Sequence, residues 1–151
     1  MMEFVLNVDV IIKLLCAVIL GMVIGDERKR RDKNGGKRTV TLICLGATLM
    51  GILNLELMNL SGLSELTRIN IARIPAYCLV AIGFLGRGLI IKTKTGIEGL
   101  TSASILFAIV PIGIIIGMGF YQIAGIASLL LYAILEIKYI KKSKRRKNVK
   151  K

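Results

Sequence analysis

The sequence predicts an all-α membrane protein with about five transmembrane helices, its N-terminus outside and its C-terminus in the cytoplasm. Of the 151 residues, 54% are hydrophobic and 21% are charged, and the charges gather in blocks between apolar runs. A membrane-spanning helix needs about 20 mostly apolar residues. The chain therefore has room for about five spans and short loops, but not for a separate soluble domain of ordinary size.

Five apolar runs are the predicted spans, and they cover residues 8–25, 39–55, 73–91, 100–118 and 120–137. In the first run Asp9 and Lys13 stand one helical turn apart, so we expect the pair to shield itself at the headgroup level. Small residues recur at every fourth position, Ala17, Gly21 and Gly25, which suits close helix packing. The last two runs meet at residues 117–119, where the alternative is a four-span protein with one re-entrant segment.

The loops set the predicted orientation. Residues 26–38, residues 92–99 and the tail from residue 138 hold seven, two and nine Lys and Arg, whereas the opposite side offers little beyond Arg68 and Arg73. Because positively charged loops stay in the cytoplasm, we expect these three segments there. Residues 1–137 are then one transmembrane domain and residues 138–151 a basic cytoplasmic tail. We expect residues 56–70 to form a loop with room for one turn of surface helix.

The third run, RIPAYCLVAIGFLGRGLII, combines a bilayer-length apolar segment with two arginines and three clustered glycines. At 100° per residue, one side of this helix, here called the Arg73 face, can receive polar partners. The Arg73 face consists of Arg73, Tyr77, Val80, Phe84 and Arg87. The adjoining flank would let a neighbouring backbone approach, and it contains Ala76, Gly83 and Gly86.

Arg73 is predicted to orient a carboxylate with its planar guanidinium, which an ammonium group cannot do in the same way. We expect Asp9 as the partner because it lies at the same end of the first span, with Glu56 and Glu65 as alternatives. Arg87 is only a few residues from the inner boundary and can snorkel to the headgroups. A structural role is therefore favoured for Arg87.

The net charge of +13 indicates anionic lipid headgroups rather than nucleic acid, because the basic residues flank apolar runs. Cys16, Cys44 and Cys78 lie in three different runs without a C-x-x-C motif, and the sequence has no histidine. We therefore expect packed thiols and no metal set of these residues.

Catalysis is not expected, because no acidic residue can pair with a histidine and no Ser or Cys stands in a nucleophile motif. A Mg²⁺ site needs carboxylate oxygens, and the one acidic cluster is Asp26, Glu27 and Asp32. Seven cations in the same loop would compete with the metal. The sequence therefore predicts a non-enzymatic protein without a cofactor or a metal site.

Four segments, IGDERKRR, GGKRTVTLICLGA, RIPAYCLVAIGFLGRGLI and GLTSAS, occur in this order. They resemble the signatures of the MgtC/SapB family of bacterial inner-membrane proteins, which run approximately G-x-E-R, G-x-R-T, R-I-x-A-x-x-x-x-x-I-G-F-L-G-x-G and G-L-T-T-A. The resemblance covers about residues 15–135, and its central block is the most specific. The positions that match the family pattern are Glu27, Arg28, Gly36, Arg38, Thr39, Arg73, Gly83, Phe84, Leu85, Gly86, Gly88, Gly99, Leu100, Thr101 and Ala103.

The resemblance implies a multi-pass protein of the bacterial inner membrane that acts in magnesium limitation, virulence or stress. It implies regulation by contact with other membrane proteins, such as the F-type ATP synthase, and leaves self-association open. The alternative is a small ion (Mg²⁺) transporter or channel, oligomeric and using the Arg73 face as its path.

Three departures from the family pattern are visible. Arg87 stands where the family usually has alanine, and Ser104, Ile105 and Phe107 replace the usual continuation of the last signature, so the fourth helix is expected to pack differently. Virulence-type members carry a C-terminal soluble domain resembling ACT modules, whereas only the basic tail follows the last predicted span here. The chain is therefore expected to be a short form.

Two of the family motifs each leave two interpretations open. Glu27 and Arg28 form either a charge pair at the headgroup level or a cytoplasmic recognition patch with Arg38 and Thr39. The glycines of GFLGRG serve either helix packing or a backbone break that lines a cavity, as in transporters.

Overall fold

The computed structural model of the chain describes residues 8–30, 36–60, 62, 64–94 and 96–148. Six helices and a two-stranded hairpin follow one another in this part of the chain. They are α1 (Val8–Arg30), α2 (Lys37–Met58), α3 (Glu65–Ala72), α4 (Ile74–Leu89), β1 (Ile91–Thr93), β2 (Gly96–Glu98), α5 (Leu100–Gly117) and α6 (Tyr121–Asn148).

Four helical segments are long and apolar enough to cross a membrane: Val8–Arg28, Lys37–Met58, Glu65–Leu89 and Leu100–Gly117. A fifth, the shorter apolar segment Tyr121–Glu136, begins α6. The predicted class, an all-α membrane protein with several apolar helices, is confirmed; four segments have membrane-spanning length, where about five spans were predicted. The two runs that meet near residue 118 form separate helices, because the turn between them places Gly119 at φ +87°, a backbone conformation that suits glycine.

The first two helices pack antiparallel through the small residues of α1. A Cβ atom on Gly21 would lie 2.6 Å from the Cα atom of Thr41, and one on Gly25 would lie 2.6 Å from the Cα atom of Lys37. No side chain fits at either position. The predicted packed side of the first helix is confirmed.

The centre of the bundle is the parallel contact of α2 with α5. A Cβ atom on Gly113 would lie 2.8 Å from both the Cβ atom of Ala47 and the carbonyl oxygen of Cys44. The hydroxyl of Thr48, fully buried, lies 3.0 Å from the carbonyl oxygens of Cys44 and Gly113 and can donate its proton to either. Small residues thus bring the two backbones together, and a hydroxyl links them.

The connection between α4 and α5, predicted as a loop, contains an antiparallel hairpin in which Lys92 pairs with Ile97. The hydroxyl of Thr93 donates to the carbonyl oxygen of Gly96 at 2.9 Å, which stabilises the turn. Gly99 follows at φ +85°, and a Cβ atom there would overlap the carbonyl group of Leu89. Gly99 therefore lets α5 begin directly against the end of α4.

A two-turn helix, α3, occupies the last part of the predicted loop before the third span. The N–H of Thr67 donates to the Ser64 hydroxyl at 3.3 Å, so Ser64 caps the helix. At the other end of α3, the buried amide of Asn54 donates to the carbonyl oxygen of Ile71 at 2.9 Å. This bond fixes the approach to α4 against α2.

The bundle has two ends that are named here for their residues. At the hairpin end, α1 and α4 finish, α2 and α5 begin, and the hairpin connects α4 to α5. At the Asp9 end, α1 begins, α2 and α5 finish, and α3 leads into α4. The predicted basic tail from residue 138 begins inside α6, which continues to Asn148.

Candidate functional site

A buried polar contact joins α1 to α5 at the hairpin end. The guanidinium of Arg28 donates through Nη2 to the Ser102 hydroxyl, and both residues are 3% exposed, as is Glu27. Two segments far apart in the sequence, IGDERKRR and GLTSAS, therefore meet inside the bundle. A charged hydrogen bond in such a place fixes the two helices in one relative position.

The burial of Glu27 and Arg28 bears on both interpretations of these residues. Arg38 and Thr39, which the recognition patch would include, are exposed. The structure thus buries Glu27 and Arg28 inside the protein, whereas the side chains of Arg38 and Thr39 are exposed. Sequence reasoning missed Ser102 as the partner of Arg28.

The acidic residues at the hairpin end do not form a metal set among the described residues. Asp26 instead forms an ion pair with Lys37, 3.5 Å from Oδ1 to Nζ, across the connection of α1 with α2. Asp32, the third member of the candidate Mg²⁺ cluster, lies outside the described residues.

A second polar cluster lies at the Asp9 end. Lys13 Nζ is 2.6 Å from Asp9 Oδ2, and the Tyr121 hydroxyl donates to Asp9 Oδ1 at 3.0 Å. Lys13 is 5% exposed, and its buried charge is balanced by the carboxylate of Asp9, which is itself exposed. The predicted pair is confirmed. The sequence did not indicate Tyr121, which ties the start of α6 to the start of α1.

The Arg73 face points away from the rest of the chain. Tyr77, Val80 and Phe84 are 65%, 73% and 78% exposed, and Arg73 and Arg87 are exposed as well. Within the described part of the chain, neither guanidinium has a hydrogen bond or ion pair. The predicted pairing of Arg73 with Asp9 is not formed, because Lys13 and Tyr121 hold that carboxylate.

The glycines of GFLGRG are not tightly packed within this chain. Among the described residues, a Cβ atom on Gly83 or Gly88 would meet no atom within 4 Å, and one on Gly86 would lie 3.5 Å from the Cβ atom of Ala103, an ordinary contact. In the part of the chain that the structure describes, Gly83 thus lacks the close helix contact that the packing interpretation expects. The close contacts lie instead on α1, α2 and α5.

A cleft of about 490 Å³ separates the last turns of α4 from the first turns of α5. Residues of GFLGRG and GLTSAS line it at the hairpin end. We call it the α4–α5 cleft. Its lining consists of Ile82, Gly83, Gly86, Arg87, Ile90, Leu100, Ala103, Ser104 and Phe107. The Ser104 hydroxyl donates to the Leu100 carbonyl oxygen at 2.9 Å. Among the described residues of the lining, Arg87 is the one charged group.

The family model described as "MgtC family" matches residues 14–143, which is most of the chain. The chain belongs to the MgtC family. Three curated relatives illustrate the similarity. Protein MgtC of Salmonella typhimurium strain LT2 is 34% identical over 131 residues, 87% of this chain and 53% of the relative.

The second relative, the "Putative magnesium transporter YhiD" of Escherichia coli strain K12, is 31% identical over 134 residues, 87% of this chain and 61% of the relative. The third, Protein SapB of Bacillus subtilis strain 168, is 28% identical over 141 residues, 93% of this chain and 60% of the relative. The chain thus spans between half and two thirds of the length of these relatives. No solved structure matches it.

The positions that match the MgtC family pattern fall into three groups in the structure. Buried positions are Glu27, Arg28 and Gly86. Half-buried positions are Gly36, Gly99 and Ala103. Exposed positions are Arg38, Thr39, Arg73, Gly83, Phe84, Leu85, Gly88, Leu100 and Thr101. The buried and half-buried positions include the residues that join α1, α4 and α5, whereas most of the central block faces outward.

Proposed function

We propose that this member of the MgtC family is a non-enzymatic regulatory protein of the bacterial inner membrane that acts by contact with another membrane protein. The magnesium association of the family and of the YhiD relative's name supports a role in magnesium limitation, with virulence or stress as settings. The exposure of the Arg73 face is the observation that carries the proposal. A candidate partner is the F-type ATP synthase.

The Arg73 face is chemically suited to a partner helix. Its two arginines stand fourteen residues apart, which is about 21 Å along a helix, and the side chains between them are apolar. Phe84 matches the family pattern but is 78% exposed, so packing within this chain does not require its side chain. A partner helix with a carboxylate near one end would pair with Arg73 and cover the apolar stripe.

Site-specific photocrosslinking in native membranes tests this proposal. A photoreactive residue in place of Phe84 should capture a defined membrane protein, identified by mass spectrometry, and Phe84→Ala should reduce growth complementation at limiting magnesium without lowering abundance. Leu129 on α6 is the matched control, because it is 70% exposed and lies outside the family pattern. Equal capture from both positions, or full complementation by Phe84→Ala, would contradict contact through this face.

The orientation belongs to the same proposal. Residues 26–38, residues 92–99 and the tail contain seven, two and nine Lys and Arg. In the chain these segments follow the apolar parts of α1, α4 and α6, so the positive-inside rule favours a cytoplasmic hairpin end. The Arg28–Ser102 contact and the α4–α5 cleft would lie near the cytoplasmic boundary, and Arg73 near the outer boundary.

The name of the YhiD relative favours magnesium transport as the alternative. The Arg73 face lies on the outside of the chain, so a path along it would need a second copy to enclose it. Purified protein in liposomes distinguishes the two functions. The regulatory proposal expects no Mg²⁺ flux above that of empty vesicles at any protein density, whereas flux that rises steeply with density would indicate an oligomeric transporter.

A further inference from the structure

The α4–α5 cleft has the chemistry of a site for an amphiphile. Its volume of about 490 Å³ lies within the range of small-molecule sites. Apart from Arg87 and Ser104 its lining is Ile, Leu, Phe, Ala and Gly, and the Ser104 hydroxyl already donates to its own helix. A ligand in this cleft would therefore meet hydrocarbon walls and a single cation.

Two glycines keep the cleft open on the α4 side. A Cβ atom on Gly83 would enter open space, and Gly86 leaves ordinary contact distance to Ala103. Any larger residue at position 83 would project into the volume that the cleft now provides. The groove thus exists because α4 presents bare backbone next to the N-terminal half of α5.

Arg87 lies where a lipid headgroup would be. It stands in the last turn of α4, three residues before the backbone leaves the helix at Ile90, and therefore at the boundary of the apolar segment. Its guanidinium has no protein partner among the described residues and can hold a phosphate with two parallel hydrogen bonds.

We propose that the α4–α5 cleft binds an anionic phospholipid, with the phosphate on Arg87 and an acyl chain along Gly83 and Gly86. Charge complementarity selects the headgroup, and the apolar walls select the chain. A free phosphate would use only the arginine and leave the hydrocarbon walls without a ligand. The lipid would use Arg87, whereas the proposed partner helix would use Arg73, so the two sites rely on different cations.

Native mass spectrometry of the purified full-length chain, released from detergent, tests the proposal. Phosphatidylglycerol should remain bound at one copy per chain and more tightly than phosphatidylcholine with the same acyl chains. Arg87→Gln should weaken phosphatidylglycerol binding about tenfold or more, because a hydrogen-bonded charge contributes roughly 1.5–3 kcal/mol. Gly83→Leu should weaken it as well by filling the groove, although it leaves the charge in place.

Lys94→Gln is the matched control, because Lys94 is an exposed cation at the same end of the bundle but outside the cleft lining. It should change phosphatidylglycerol binding by less than about twofold. Circular dichroism should show the same helix content for all three variants, since Gly83 has open space and Arg87 and Lys94 are exposed.

Three results would overturn the proposal. One is unchanged phosphatidylglycerol binding in both cleft variants. Another is a loss of phosphatidylglycerol binding in Lys94→Gln as large as that in Arg87→Gln, which would indicate that the lipid responds to overall positive charge and not to the cleft. The third is displacement of the lipid by millimolar inorganic phosphate, which would indicate a site for the free anion.

Discussion

Replacing Ser102 by alanine tests whether the buried contact with Arg28 holds α5 against α1. The substitution removes the acceptor of a charged hydrogen bond in a position that is 3% exposed. Such bonds contribute about 1.5–3 kcal/mol, and the better helix propensity of alanine returns at most about 0.5 kcal/mol. We therefore expect the free energy of unfolding to fall by about 1–2.5 kcal/mol.

Ser104→Ala is the matched control on the same helix. Ser104 is exposed and its hydroxyl donates to the carbonyl oxygen of Leu100 within α5, so we expect a change within about 0.5 kcal/mol. The measurement is denaturant-induced unfolding of the purified chain in mixed micelles, followed by far-UV circular dichroism. Equal effects of the two serine variants would refute the structural role of the contact.

A double-mutant cycle with Arg28→Met measures the interaction free energy between Arg28 and Ser102 apart from the other contacts of Arg28. If the two side chains interact directly, Ser102→Ala should cost less in the Arg28→Met background, with a coupling energy of about 1–2 kcal/mol. Strict additivity of the two substitutions would show that the contact contributes nothing to stability.

Three further predictions concern packing, the Arg73 face and orientation. Gly113→Ala should lower the free energy of unfolding by about 1–3 kcal/mol, because its Cβ atom would lie 2.8 Å from Ala47 and Cys44 atoms. The control, Gly83→Ala, should change it by less than about 0.5 kcal/mol. The same unfolding assay checks both variants, and equal effects would contradict the glycine contacts. Arg73→Lys should impair complementation at limiting magnesium while abundance on a blot stays normal, because an ammonium cannot replace the planar fork; full complementation would show that Arg73 is only an interfacial charge. A periplasm-dependent reporter should be active at Gly62 and inactive after Lys151, and the reverse pattern would overturn the orientation.

The sequence predicted the helical membrane class because an apolar run of bilayer length has few other stable forms. It also predicted the packed side of α1, because a repeat of small residues every four positions marks one helix face regardless of the partner. The pairing of Asp9 with Lys13 was also predictable, because residues one helical turn apart lie close together on the same helix. These features need no knowledge of how distant helices meet.

Features that depend on distant helices were beyond the sequence. The sequence suggested Arg28 as a charge at the membrane boundary. Its burial was not predictable because its partner, Ser102, lies 74 residues away in the chain. Gly83 looked like a packing residue, but the register of α4 on α5 places Gly86 at the contact and leaves Gly83 open. The hairpin between α4 and α5 was missed because its two three-residue strands are too short for a periodic pattern.

The position of α5 also sets an order of events during synthesis. Helices α1 and α2 contact each other through Gly21 and Gly25 and can associate as soon as both have entered the membrane. Arg28 cannot reach Ser102 until 74 more residues have been made, which takes about 4–15 s at usual bacterial rates of elongation. For those seconds α1 and α2 must hold Arg28 without its hydrogen bond to Ser102, and the arrival of α5 supplies this contact.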